Sequence, residues 1–368
     1  MEIPFLDLKL HDEKLKEELR TKFASMLDAG IFSGGEEVNL LEGNLSGELN
    51  SAFVLTCANG TDALELALRA LDIGPGDEVI VPAMTWVSTA EAVCLVGAKP
   101  VFWDVEEDGL LGQDWHQAIT ERTKAVIPVH LYGKMVCMDS LRTAAKDRGV
   151  KVIEDAAQAF GAFQNGKAAG TISDIGCLSF YPTKNLGALG EAGACVTQNS
   201  ELAEKIMLLR NHGQLTRDQH VLIGRNSRID TLQAGFLNVL LAYFSSYQQT
   251  RKGLASIYLE KLRHIEGLKL PREIVDEAHN GHLFVICTEK RDALKAFLKQ
   301  KGIGTAVHYP QILPEMKQFF QKGDFPNASR LSKQALSLPL NPWLKKEEIE
   351  LVASTIHDFF SNFQDELD

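Results

Sequence analysis

Paired cysteines, long apolar runs and basic clusters are all missing from this 368-residue chain, and each absence removes a class of protein. The six cysteines (Cys57, Cys94, Cys137, Cys177, Cys195 and Cys287) are scattered, with no C-x-x-C pair and no His/Cys cluster at zinc spacing. A disulfide-stapled module and a structural metal site are therefore excluded, and the thiols read as reduced, mostly buried small hydrophobes. No stretch approaches the ~20 apolar residues of a membrane helix. The start, Met1-Glu2-Ile3-Pro4-Phe5-Leu6-Asp7-Leu8, has no basic segment followed by an apolar run, so no signal peptide is expected and the expected location is cytoplasmic. With 38 Lys and Arg against 49 Asp and Glu the net charge is −11, and no basic run stands out, which argues against nucleic acid as a partner. Tandem repeats and low-complexity tracts are also absent.

What is present is a globular composition, 45% hydrophobic and 24% charged, on a chain long enough for about two domains. Leu15, Leu19, Phe23, Met26 and Leu27 recur at helical spacing over 12–29, a helix that Gly30 can end; a second helix follows Gly34-Gly35 with Val38, Leu41, Leu45 and Leu49 on one face. Beyond residue 50, short β-rich runs alternate with helical stretches: Ala52–Cys57, Val79–Pro82, Lys99–Val105, Ala125–His130, Val150–Glu154, Ile175–Tyr181 and Ala194–Thr197. That alternation predicts an α/β fold, a large domain whose mostly parallel seven-stranded sheet is flanked by helices. A long helix from about Thr231 to Leu262 leads into a smaller α+β domain, with a strand at His282–Thr288, a helix at Arg291–Lys301, a strand at Gly304–Val307 and a terminal helix at Lys345–Phe363. The division is drawn at 1–245 and 246–368.

Ligands of such sheets bind at the carboxyl ends of the strands, so turns directly after strands carry most information. The first is Cys57-Ala58-Asn59-Gly60-Thr61-Asp62, a helix start whose free N–H groups and threonine hydroxyl suit a phosphate; the same residues are also good N-cap and turn chemistry. The second, Asp155-Ala156-Ala157-Gln158, sets an aspartate at the end of a buried strand, where either a helix cap or a protonated ring nitrogen would hold it, with Gln158 one turn further on. The third, Ser179-Phe180-Tyr181-Pro182-Thr183-Lys184-Asn185-Leu186-Gly187, surrounds a lysine with apolar residues, where desolvation favours a free amine able to attack a carbonyl. Gly187, Gly190 and Gly193 do not make a dinucleotide loop, because the fingerprint needs glycine at 189 and that residue is Leu.

Jointly, a phosphate seat, a ring-nitrogen carboxylate and a Schiff-base lysine are the parts that hold pyridoxal 5′-phosphate. Trp86 is the aromatic available to stack on the ring, ordinary core packing being the competing use.

These residues bring a family into view. Asn59-Gly60-Thr61-Asp62-Ala63-Leu64, Gly76-Asp77-Glu78-Val79-Ile80-Val81-Pro82, Glu154-Asp155-Ala156-Ala157-Gln158, the Ser179–Gly187 segment, Asn226-Ser227-Arg228-Ile229-Asp230 with Gln233-Ala234, and His308-Tyr309-Pro310 resemble the DegT/DnrJ/EryC1/StrS nucleotide-sugar aminotransferases, of pyridoxal-phosphate fold type I. The resemblance implies that Lys184 forms the Schiff base and shuttles a proton, that Asp155 pairs with the ring nitrogen and Gln158 with the ring hydroxyl, and that Gly60, Thr61 and Ser179 hold the phosphate. It implies too that Asn226 reaches the phosphate from the neighbouring subunit of a homodimer, and that Arg228, His308 and Tyr309 contact the amino donor or the sugar nucleotide, near Phe32-Ser33-Gly34. The implied reaction takes an amine from glutamate, releasing 2-oxoglutarate, and gives it to a keto-sugar on a nucleoside diphosphate; the Asn226-Ser227-Arg228 form favours C-3 over C-4. Gly190-Glu191-Ala192-Gly193 and Gln311-Ile312-Leu313-Pro314 depart from the commoner family forms. The rival readings are a pyridoxal-phosphate protein without transaminase turnover, such as a regulator, and a sugar dehydratase, in which histidine stands where this chain has Lys184.

Overall fold

A computed structural model describes residues 2–364 of the chain. Asp12 caps the first helix, α1 (Glu13–Ala29), by accepting the Leu15 N–H at 3.1 Å, and Gly30 ends it in the left-handed conformation at φ 67°. Helix α2 (Glu36–Leu49) follows, and its buried stripe is Val38, Leu41, Leu45 and Leu49, the face expected from the sequence.

All seven expected strands form and join one sheet: β1 (Phe53–Cys57), β2 (Glu78–Pro82), β3 (Lys99–Trp103), β4 (Thr123–Val126), β5 (Lys151–Asp155), β6 (Ile175–Ser179) and β7 (Gly193–Thr197), in the order β1-β7-β6-β5-β4-β2-β3. Only β7 runs against its neighbours; the remaining pairs are parallel. Both faces are covered. Val79 and Val81 of β2 enter one apolar core while Ile80 enters the other, and Ile153 and Val152 of β5 divide the same way. Helices α3 (Gly60–Ala70) and α4 (Ser88–Leu95) leave the carboxyl ends of β1 and β2, so the turns singled out above gather along one edge of the sheet; α5 (Met138–Lys146) precedes β5 and α6 (Ser200–Leu209) follows β7.

A third core gathers Ile3, Phe284, Leu294, Leu336, Ile349 and Phe359. Helix α7 (Thr231–Leu262) runs without a break through position 245: Ala234, Leu237 and Phe244 pack in the core of the large sheet, whereas Leu254, Tyr258 and Leu262 pack in the third. Strand β8 (Phe284–Cys287) pairs not with 304–307 but with β9 (Ala335–Leu338). The expected strand at 304–307 is therefore corrected. Its backbone is divided between two neighbours, the Gly304 N–H reaching Ile3 O and Ala306 bridging Ser337, so no continuous ladder forms. Helices α8 (Arg291–Gln300), α9 (Pro326–Gln334) and α10 (Lys346–Gln364) follow, α10 being the last element among the described residues.

The six cysteines are free; Cys57, Cys177 and Cys195 are buried, whereas Cys94 and Cys137 are exposed, so burial is less general than expected. Among the described residues no helix is long and apolar enough to cross a membrane, and no group of three His, Cys, Asp or Glu could hold a metal.

Candidate active site

The three post-strand turns meet at one cavity of about 800 Å³, lined by Gly60, Thr61, Trp86, Asp155, Gln158, Ser179, Lys184, His308 and Tyr309 among others. Asn59 does act as the cap expected of it: its Oδ1 accepts the Asp62 N–H at 2.8 Å. That leaves the first-turn N–H groups of α3 without an intrahelical acceptor. A Cβ on Gly60 would come 2.7 Å from Ser179 Cβ, and one on Gly193 would come 2.5 Å from the Asn59 carbonyl. Two glycines thus press the helix start against the end of β6 and the start of β7, which sets Thr61 and Ser179 beside the free N–H groups.

Asp155, 5% exposed, ends β5. Its carboxylate accepts the Thr89 hydroxyl at 2.8 Å and the Ala157 N–H at 3.2 Å. Burial nevertheless outweighs these donors and raises its pKa, and among the described residues no cation lies within ion-pair distance. Lys184 lies in the loop between β6 and β7, its backbone N–H bonded to Tyr181 O at 2.8 Å. Desolvation pushes its amine down to about 8, opposed by the negative charge of Asp155.

Gln158 accepts the Tyr132 N–H at 2.7 Å and donates to the Tyr309 hydroxyl at 3.1 Å. Tyr309 in turn packs against Trp86 with ring centroids 5.7 Å apart. Trp86 is 56% exposed and lines the cavity, so it is not core packing. His308 Nδ1 lies 2.8 Å from Ser337 Oγ, and burial lowers its pKa to about 4.

Asn226 and Arg228 are not brought to this cavity. Asn226 bridges Asn211 through the backbone, and the Arg228 guanidinium donates to Asn211 Oδ1 in a separate cavity of about 350 Å³ shared with Gly34 and Arg210. Two residues that contact the site went unread in the sequence. Thr89, which holds Asp155, belongs to a hydroxyl-rich run (Thr85, Ser88, Thr89) just after β2 that marked a fourth post-strand turn. His282, buried in the cavity wall, carries no local signal at all.

A model of the DegT/DnrJ/EryC1/StrS aminotransferase family matches residues 13–357. The chain is 43% identical over 96% of its length, and 97% of the relative's, to a UDP-N-acetyl-3-dehydro-alpha-D-glucosamine 3-aminotransferase of Acidithiobacillus ferrooxidans. It is 39% identical to a protein of Geobacillus stearothermophilus called a pleiotropic regulatory protein, over 99% of this chain and 100% of the other. Identity is again 39% to a dTDP-3-amino-3,4,6-trideoxy-alpha-D-glucose transaminase of Streptomyces venezuelae, over 97% and 96%. Among solved structures, S. venezuelae DesV in complex with a ketimine intermediate superposes with a TM-score of 0.93 at 38% identity, covering 97% and 98% of the two chains. NtdA of Bacillus subtilis with bound cofactor PMP gives 0.91 at 33%, covering 97% and 85%.

Proposed function

The chain belongs to the DegT/DnrJ/EryC1/StrS aminotransferase family, and from that premise we propose that it moves an amino group from L-glutamate to the C-3 keto group of a nucleoside-diphosphate sugar, using pyridoxal 5′-phosphate. The observation that carries the reading is the convergence of Lys184, Asp155 and the Gly60–Ser179 contact on one cavity. These residues fit the cofactor. Asp155 is a buried carboxylate in want of a cation, Lys184 an amine held near neutral pH, and the α3 start a set of N–H donors in want of an anion.

Gly60, Thr61 and Ser179 would hold the phosphate, Asp155 the ring nitrogen, Gln158 the ring hydroxyl, and Trp86 one face of the ring. When bound, the cofactor supplies an electron sink beside the substrate's reacting carbon. Lys184 Nζ would take the proton from the donor's α-carbon and return it to the carbon on the far side of the substrate nitrogen; desolvation suits it to that work, because it raises the share of free amine near neutral pH. Asp155 would keep the ring-nitrogen proton in place, and the Thr89 hydroxyl orients its carboxylate. His308 and Tyr309 line the cavity where the donor and the sugar enter in turn.

C-3 is favoured over C-4 on the Asn226-Ser227-Arg228 form and on the 3-aminotransferase activity named for the Acidithiobacillus relative. A Lys at 184 speaks against the dehydratase reading and for turnover over a purely regulatory role. Asn226 and Arg228, which do not line the Lys184 cavity of their own chain, agree with a homodimer in which each copy completes the other's site. Phe32, Leu215 and Ile223, at 50%, 57% and 88% exposure, give such a pairing apolar surface. The proposal keeps a large domain over 1–245, a smaller one over 246–368, and a cytoplasmic location.

The test is mass spectrometry of products from a panel of UDP- and dTDP-linked 3-keto and 4-keto sugars supplied with glutamate. Amination of a 3-keto sugar is expected. Amination of 4-keto sugars alone would overturn the C-3 assignment, and no amine transfer to any of them would overturn the reading.

A further inference from the structure

Helix α7 carries one residue that neither core accounts for. Arg251 is 6% exposed, and its Nη1 donates to Leu340 O at 2.8 Å. A guanidinium offers five N–H donors, and among the described residues no carboxylate lies within ion-pair distance of this one. Burial alone pushes its pKa down to about 10. A buried cation left without a counter-charge is costly, and this chain has acids in excess, so the omission is a property of the place.

The place is a chamber of about 100 Å³ between the N-terminal segment (Phe5, Leu6), α7 and the end of β9. Thr183, His282, Leu283 and His308 line both this chamber and the Lys184 cavity, so the two adjoin. Neither histidine brings a charge. Asn185 Nδ2 donates to Gln248 Oε1 at 3.0 Å and to Asn280 O at 2.9 Å, which fixes its Oδ1 as an acceptor. His282 therefore donates from Nδ1 to that oxygen at 3.1 Å and keeps a lone pair on Nε2, a neutral ring that burial maintains. His308 is likewise neutral at pH 7. Arg251 is thus the one full charge on the lining. The chamber is too small for a diphosphate and large enough for a single planar anion.

We propose that Arg251 seats a carboxylate of the amino donor in this side chamber while the donor's amine is presented toward Lys184. The proposal rests on the aminotransferase reading and assigns that site its donor-binding residue. It also divides the labour between the substrates, because a keto-sugar without a carboxylate would not need Arg251.

In a ping-pong reaction the kcat/KM of each substrate reports only its own half-reaction, which separates the two. In holoenzyme carrying Arg251→Gln, kcat/KM for glutamate is expected to fall about thirtyfold or more, and less in Arg251→Lys, which keeps the charge and loses the fork. The value for the keto-sugar stays within about twofold. Calorimetric binding of glutarate, a non-reacting dicarboxylate, weakens at least about tenfold in the same variants. Unchanged glutamate kcat/KM and glutarate affinity in a folded variant would overturn the proposal, as would a parallel fall for both substrates. Should Arg251→Gln not fold, Arg251→Lys is read together with formate on the wild type. Formate is expected to compete with glutamate and not with the sugar, and absence of competition counts against the proposal. A wild type that releases no 2-oxoglutarate fails the aminotransferase reading instead, while glutarate binding still tests Arg251.

Discussion

Glu154 and Asp155 are adjacent acids at the end of one strand, pointing to opposite faces of the sheet, and their surroundings differ in kind. Glu154 is fully buried yet holds three donors: His130 Nε2 at 2.9 Å, the Gly170 N–H at 2.8 Å and the Ile172 N–H at 2.7 Å. His130 Nδ1 accepts the Val136 N–H at 3.1 Å, so its ring proton must sit on Nε2, facing the carboxylate. Burial opposes ionisation here, but the histidine and the two backbone donors prevail and lower the pKa. Asp155 has one hydroxyl and one N–H, and there burial prevails and raises it. The completed carboxylate ties β5 to the 170–172 turn; the incomplete one faces a cavity and needs a ligand's cation. Incompleteness, more than burial or charge, separates the site from the scaffold.

Lys184 faces only the incomplete acid, and its removal gives the largest effect. Lys184→Ala is expected to lower transamination by about a thousandfold or more and to abolish the near-visible absorbance of the holoenzyme, with the fold retained. Equal turnover and an unchanged spectrum would remove Lys184 from its role.

The two acids themselves should then divide stability from activity. Glu154→Gln forces an amide NH₂ against one of three donors and is expected to cost about 3 kcal/mol, read by urea denaturation, with the folded fraction active. Asp155→Asn is expected to leave the melting temperature of the cofactor-free protein unchanged or higher and to lower turnover about a hundredfold. If both variants lose stability equally, or Asp155→Asn turns over normally, the contrast fails.

This division also explains what the sequence disclosed. Strands β1 to β7 were legible because two buried faces write continuous apolar runs, and Lys184, Asp155 and Gly60 because each follows such a run directly. His282 and Arg251 were not legible, since each reaches its cavity from a distant element by long-range packing, which leaves no local period or motif. The pairing of β8 with β9 was hidden for a related reason: Gly304–Val307 reads as a strand, but its hydrogen bonds are divided between Ile3 and Ser337. Asn226 and Arg228 could be named only from the family resemblance, and one chain does not bring them to the Lys184 cavity.

A smaller effect lies in pH. In the cofactor-free protein the Lys184 pKa is about 8 when folded and 10.5 when exposed, so the unfolded chain binds more protons between those values. Stability attributable to Lys184 therefore rises with pH across that window. Glu154 has the opposite sense: its lowered pKa stabilises above the ordinary carboxylate value and loses that contribution as pH falls through the folded one. Urea midpoints of wild type against Lys184→Met should converge from about pH 8 to about pH 10.5, as the wild type sheds the cost of its buried charge. Those against Glu154→Gln should converge below about pH 4.5. A pH-independent difference in either pair contradicts the corresponding assignment.

The smallest effect tests whether Asp155 is incomplete by degrees. Thr89 has one hydroxyl proton and gives it to Asp155; Thr85, 3.2 Å from Thr89 Oγ1, must then donate to Thr89, making a chain of two hydroxyls behind the carboxylate. Thr89→Val removes one of the two donors to Asp155 and leaves the buried Thr85 hydroxyl without its acceptor, at a cost of about 1 kcal/mol in stability. With one donor fewer the aspartate pKa rises further, so the acid limb of the kcat/KM profile should move to higher pH and turnover at neutral pH fall severalfold. Thr89→Ser, which restores the hydroxyl without the methyl, should recover the pH profile. A Thr89→Val enzyme that loses stability with an unmoved acid limb would mean that Thr89 serves packing alone, and that the Ala157 N–H by itself holds Asp155 in place.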